Sequence, residues 1–218
     1  MRITWYGHSA FLVEAGDGTR IILDPYRSGA FGGGIAYAPI DDPADAVIAT
    51  HTHEDHGAVD TIPGGPAVYV EPTSARAGSV RITGIPVQHD PSGGSERGRN
   101  TIVVLDDSGV RLAHLGDLGH ELDRSTVEQI GRVDVVMVPV GGYFTIDAAQ
   151  AAQVVAALAP RVVIPMHYKT PKCGFPIDSV DGFLATQPLV ETLPGSTLSV
   201  TADDLPPTRT TYVLQHAR

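Results

Sequence analysis

Short apolar runs broken by turn signals dominate the chain. Residues 3–6 and 10–15 read as paired strands joined by Gly7-His8-Ser9, and Gly16-Asp17-Gly18 marks the next turn. Residues 20–23 form another short strand, ended by Asp24-Pro25. Residues 47–50, 67–70 and 80–87 continue the series, and 101–105 with 110–113 read as a hairpin around Asp106-Asp107-Ser108-Gly109. Residues 133–140 are apolar almost throughout, as expected of a strand buried on both faces. Residues 162–166 give a further strand, and 197–200 and 211–214 add short ones in the tail. Helical patterns are fewer. Residues 57–62 predict one or two turns, and 125–130 open with Ser125 and Glu128 in capping-box spacing. Residues 147–159 predict an Ala-rich helix stopped by Pro160, and 177–186 a last one. Two stretches have no period. Residues 26–43 hold Gly29, Gly32, Gly33 and Gly34 and read either as a lid over a site or as a surface excursion. Residues 90–100 are polar and Gly-rich.

No linker divides this series, so one domain over residues 1–218 is expected. With 42% hydrophobic and 18% charged residues the chain can bury a full core, which disfavours disorder. No apolar run reaches the roughly 18 residues of a membrane span. The first residues enter a strand pattern without a signal-peptide core, so a cytoplasmic location is the expectation. Cys173 is the only cysteine, which rules out a disulfide framework. The net charge of −10 argues against binding duplex nucleic acid and leaves a small-molecule substrate open. An oligomer is compatible with all of this.

The chemistry concentrates in His51-Thr52-His53-Glu54-Asp55-His56, directly after the strand at 47–50. Imidazole is the commonest metal ligand in proteins and Asp offers a hard oxygen. His51 and His53 are two residues apart and point the same way on extended chain, while Asp55 and His56 follow the start of a turn and can face a second centre. Four potential ligands in six positions suggest two metals. The spacing is not the helical His-Glu-x-x-His of zincins. Four times a short apolar strand ends and a metal-type residue follows: 51–56, His89, Asp117 and His167. Strand ends at one edge of a sheet converge, and loops there carry function on a rigid scaffold.

This order resembles the metallo-β-lactamase superfamily and, more narrowly, its short one-domain hydrolases related to ascorbate-phosphate lactonase. The matching pieces begin with Trp5-Tyr6-Gly7-His8-Ser9-Ala10-Phe11 and Asp24-Pro25, then the 51–57 run. They continue with His114-Leu115-Gly116-Asp117, Pro139-Val140-Gly141-Gly142, Phe144-Thr145 and Pro165-Met166-His167-Tyr168. The resemblance implies an α/β (α+β) fold, a four-layer αββα sandwich with the site at one edge. It implies that His51, His53 and His89 hold one divalent metal ion, that Asp55, His56 and His167 hold a second, and that Asp117 bridges them. Many relatives have Gly-Asp-Thr where this chain has Gly116-Asp117-Leu118, so support for the bridging carboxylate must come from another group.

The expected function is metal-dependent hydrolysis, with a metal-bound hydroxide attacking a small anionic ester, lactone or phosphodiester. Zn is the first expectation for this donor set, with Mn or Fe as alternatives. Asp55 and Asp117 are the candidates to orient the hydroxide and take a proton. His8 and Asp24 are expected beside the ligands as their support. Arg97, Arg99, Tyr143, Tyr168 and Lys169 neighbour ligands in sequence and are candidate substrate contacts, the cations as clamps on an anion. Two other readings remain: a di-iron oxidoreductase of the same fold, disfavoured because such relatives carry Glu where this chain has His53, and a non-catalytic metal-binding protein.

Overall fold

The computed structural model describes residues 1–218. In chain order the first strands are β1 (Arg2–Gly7), β2 (Ala10–Glu14), β3 (Arg20–Leu23), β4 (Ala46–Ala49), β5 (Ala67–Val70), β6 (Ser74–Ala77) and β7 (Val80–Gln88). They are followed by β8 (Arg99–Asp107), β9 (Val110–His114), β10 (Val135–Pro139), β11 (Val162–Met166), β12 (Val190–Thr192), β13 (Thr197–Ser199) and β14 (Thr210–Val213). The helices are α1 (Ala30–Gly33), α2 (Arg124–Ile130), α3 (Ala148–Leu158) and α4 (Asp181–Leu184). One sheet runs β13-β1-β2-β3-β4-β5 and the other β12-β14-β11-β10-β9-β8-β7-β6. Both mix parallel and antiparallel pairs: β3, β4 and β5 are parallel neighbours, as are β9, β10 and β11, while β7, β8 and β9 run antiparallel.

Alternation along the strands explains the layering. In β2, Phe11 and Val13 face a core of 43 buried residues shared by the two sheets, whereas Ala10 and Leu12 face a second cluster of 13. Ile21 and Leu23 point to the first and Ile22 to the second; Ile48 and Val47 divide the same way. The first sheet is therefore covered on both faces. Its outer cover is the stretch 26–43, whose Tyr26, Ile35, Tyr37 and Ile40 are buried against it. That aperiodic stretch is thus a packing layer, whose buried residues alternate with exposed ones around α1 and again at Ala36, Ala38, Pro39, Asp41 and Pro43. The sandwich of two mixed sheets is present with few helices, and on this side the outer layer is mostly irregular chain. No helix is long and apolar enough to cross a membrane.

Several local expectations shift. The first helix of the second half is capped by Asp123, which accepts from the Thr126 amide at 2.7 Å, not by Ser125, whose hydroxyl instead donates to Asp123. The α3 capping box pairs Asp147 with Gln150. The helix expected over 177–186 shrinks to α4, because Ile177 and Asp178 are held by the neighbouring loops: the Asp178 amide donates to Gly141 and its carbonyl accepts from Lys169. The strands β6 and β12 carry too few apolar residues to register as strands; hydrogen bonding to β7 and β14 makes them so.

Candidate metal centre

The four strand ends do converge. The 51–56 run follows β4, His89 follows β7, Asp117 lies three residues past β9, and His167 follows β11. The ligand atoms of His51, His53 and His89 lie within 4.8 Å of one another, as do those of His8, Asp55, His56 and His167. Asp117 stands between the groups. Its Oδ1 is 3.0 Å from His56 Nε2 and 3.5 Å from His167 Nε2, while its Oδ2 is 3.1 Å from His89 Nε2 and 3.9 Å from His51 Nε2. The two oxygens of one carboxylate thus address two different sets of imidazoles.

Hydrogen bonds outside the cluster fix the rings. Asp24 Oδ1 accepts from the Thr50 amide at 2.7 Å, and Asp24 Oδ2 accepts from the Thr50 hydroxyl at 2.8 Å and from His56 Nδ1 at 2.7 Å. Having given its one proton to Asp24, the Thr50 hydroxyl accepts from His51 Nδ1 at 3.0 Å. Both rings therefore carry a proton on Nδ1 and turn Nε2 inward, the orientation a metal requires. His114 is also oriented: its Nδ1 accepts from the Gly116 amide and its Nε2 donates to the Ser9 carbonyl, so it shapes the Gly116 turn without presenting a free nitrogen. Leu118 is buried in the core and sends no hydroxyl to Asp117. Support comes through the main chain, where Asn100 accepts from the Asp117 amide and donates to the Leu115 carbonyl. A side chain at Gly116 would lie 2.3 Å from Asn100 Oδ1 and 2.7 Å from Thr50 Oγ1, so this turn requires glycine. His8, Asp24 and His167 hold positive φ angles of 52°, 45° and 51°. Strained backbone of this kind persists where its surroundings over-determine it, as at ligand clamps.

The residues fit a metal. Nε2 of His51, His56 and His167 and Oδ1 of Asp117 are buried without a hydrogen-bond partner. Buried polar atoms are normally satisfied, and a cation ringed by these donors would satisfy them all. The electrostatics agree. Burial alone pushes the Asp117 carboxyl up, but the imidazoles of His167 and His56 outweigh it and hold the group well below the usual range. Asp55 is likewise depressed, with burial overcome by His56 and His8. Burial works against a charged His56, yet Asp117, Asp55 and Asp24 raise its proton affinity well above normal. A proton there holds the place a cation would take, and metal binding would release it. Burial, then His167, lowers His8 to about 4, so at neutral pH it is uncharged; its Nε2 donates to Asp55 Oδ2 at 3.0 Å.

A cavity of about 330 Å³ opens onto this cluster. Its floor is His53, Asp55, His89 and Asp117. Its walls are Phe31, Phe144 and Phe175, with Glu96 and Arg97 on the remaining side. Of the expected substrate contacts only Arg97 lines it. Arg99 lies in β8 opposite Gln88 and outside the lining. Tyr143 is 65% exposed, outside the lining, and meets the Phe144 ring edge to face at 4.6 Å. Tyr168 is only 6% exposed and packs on Trp5 at 5.3 Å, inside the core. Lys169 Nζ donates to the Phe175 carbonyl at 2.6 Å, so it braces the wall instead of facing the cavity. Neighbourhood in sequence misled here because successive residues on irregular chain turn to different sides. The sequence singles out neither Thr50 and Asn100 nor Phe31 and Phe175 as site residues, and Phe144 enters only within the matching pair Phe144-Thr145; the Gly-rich context of Phe31 and the position of Thr50 before the His run offer a signal.

Comparison with known proteins finds relatives along most of the chain. Residues 2–167 match the family described as the Beta-lactamase superfamily domain. A UPF0173 metal-dependent hydrolase of Archaeoglobus fulgidus is 31% identical over 200 residues, spanning 78% of this chain and 84% of that protein. A Thermotoga maritima protein assigned to the zinc-dependent hydrolases of the metallo-β-lactamase superfamily superposes with a TM-score of 0.81 at 33% identity, over 98% of this chain and 97% of that one. A diiron beta-hydroxylase of Streptomyces venezuelae shares the fold, with a TM-score of 0.56 at 17% identity over 76% of this chain and 44% of that one.

Proposed function

The chain belongs to the metallo-β-lactamase superfamily as a metal-dependent hydrolase, and from that premise we propose that it hydrolyses a small anionic ester, lactone or phosphodiester at a two-metal centre. The observation that carries this reading is the divided Asp117 carboxylate, with Oδ1 toward His56 and His167 and Oδ2 toward His89 and His51. His51, His53 and His89 would hold one ion, and Asp55, His56 and His167 the other. Zn suits this His-rich N/O set, with Mn or Fe as alternatives. Two such ions would supply a water acidified to near neutral pH and a Lewis acid to polarise the bond attacked.

The protein's own groups do the rest. Asp55 lines the cavity, is ionised, and is fixed by the His8 Nε2 donor, so it is placed to orient a water. Asp117 lies between the two imidazole sets and keeps them in register. The carboxylates of the floor, Asp55 and Asp117, are themselves buried, which strengthens each electrostatic contact they make. Arg97 is the cation that reaches the cavity and would contact an anionic substrate. The test is elemental analysis of purified protein together with a panel of ester, lactone and phosphodiester substrates. About two transition metals per chain and metal-dependent turnover are expected. Absence of transition metal after metal-supplemented expression would sink the reading.

A further inference from the structure

The cavity wall facing the ligands is built of rings from three distant segments. Phe175 is at its centre, with Phe31 5.3 Å away on one side and Phe144 5.6 Å away on the other, both edge to face. Phe144 is backed by the Arg97 guanidinium, 5.9 Å from its centroid. That guanidinium also lies 3.6 Å from the Glu96 carboxylate, which offsets part of its charge. The wall is therefore apolar, and its one cation is partly spent within the protein.

Phe31 is the telling member. It is 53% exposed and has a φ of 53°, in a stretch where Gly29, Gly32 and Gly33 also hold positive φ. A bulky side chain in the left-handed region is an outlier that needs support from its surroundings. Burial does not supply it, because half the ring is in solvent. The conformation does set the ring at the cavity mouth against Phe175. Ring faces and edges at the mouth and wall prefer another flat ring or an apolar plate to water or an alkyl stub.

We propose that Phe31, Phe144 and Phe175 form a collar that selects substrates with a planar apolar group, aryl or similar, next to the bond that is cleaved. The proposal rests on the hydrolase reading only for where that bond sits. The anionic or polarised end would meet the floor and the ring would meet the collar.

Metal-loaded protein titrated calorimetrically with benzylphosphonate and with methylphosphonate tests this directly. Both probes bring the same anion to the floor and differ by one ring. The collar predicts that benzylphosphonate binds about tenfold or more tightly. Phe31→Ser, at the exposed mouth, should cut that preference severalfold with the methylphosphonate affinity unchanged, and Phe144→Leu should cut the preference as well. Equal affinities for the two probes, a preference intact in both variants, or no binding of benzylphosphonate would overturn the collar. Turnover reports separately: a ring preference without hydrolysis of any ester would refute the hydrolase reading and keep the collar, and hydrolysis without a ring preference would do the reverse.

Discussion

His56 donates from Nδ1 to Asp24 Oδ2 at 2.7 Å, and this wholly buried carboxylate also holds the amide and the hydroxyl of Thr50. Asp24 thereby sets two inward-facing imidazoles at once, His56 directly and His51 through Thr50. Burial raises its proton affinity, but His56 and His114 more than compensate and keep it ionised.

Asp24→Ala should strand three buried donors, at a cost of about 1–3 kcal/mol in the metal-free protein. Metal affinity should fall by about 10–100-fold, as when other outer supports of metal-bound histidines are removed. Asp24→Asn keeps an acceptor and tolerates the positive φ of 45°, so it should be milder. Thermal unfolding without metal and competitive chelator titration measure the two effects separately. Unaltered metal affinity in Asp24→Ala would refute the orienting role.

Asp117→Ala should disturb both halves of the centre, because its oxygens divide between them. His89→Ala should mainly weaken the half it shares with His51 and His53. Elemental analysis after dialysis should then find fewer metals per chain in Asp117→Ala than in His89→Ala. The same stoichiometry in both would contradict a bridging position.

Among the basic residues beside the ligands, Arg97 alone lines the cavity. Arg97→Ala should raise KM for an anionic ester about tenfold and change KM for a neutral analogue little. Arg99→Ala should leave both alone. Lys169→Ala should affect both substrates alike, since it braces the Phe175 main chain. Steady-state kinetics on the paired substrates decides, and an anion-selective effect at Arg99 would overturn this assignment.

Far from the metal, Asp107 accepts from the Ser79 hydroxyl at 2.6 Å and the Gly16 amide at 2.9 Å. Burial pushes this carboxyl up, but the Ser79 and Gly16 donors prevail and lower it below its usual value. A depressed folded value means that its stabilisation is complete above the unfolded pKa of about 3.9 and is lost as pH falls through the folded one. Asp107→Asn should cost about 1–2 kcal/mol at pH 7. The difference from the parent chain should shrink in denaturant titrations as pH drops below about 4. A constant gap down to the acid limb would show that ionisation of Asp107 is irrelevant.

The sequence by itself determined the strands with strong apolar period and the residues that gather at the metal centre. Metal chemistry demands particular side chains, and the fold delivers them at strand ends, so His51, His53, Asp55, His56, His89, Asp117 and His167 stand out before any coordinates. Weakly apolar strands such as β6 and β12 did not stand out, because pairing with a neighbour makes them strands. Nor could the sequence tell that Tyr26 and Tyr37 bury themselves under the first sheet while Phe31, a few residues away, faces the cavity. Only the tertiary structure decided which oxygen of Asp117 meets which imidazole, that Thr50 and Asn100 support the ligands, and that Phe31, Phe144 and Phe175 share one wall. Such relations join separate segments, as Phe31 joins Phe175, and on irregular chain the direction of each side chain is set by what packs against it, not by its neighbours in sequence.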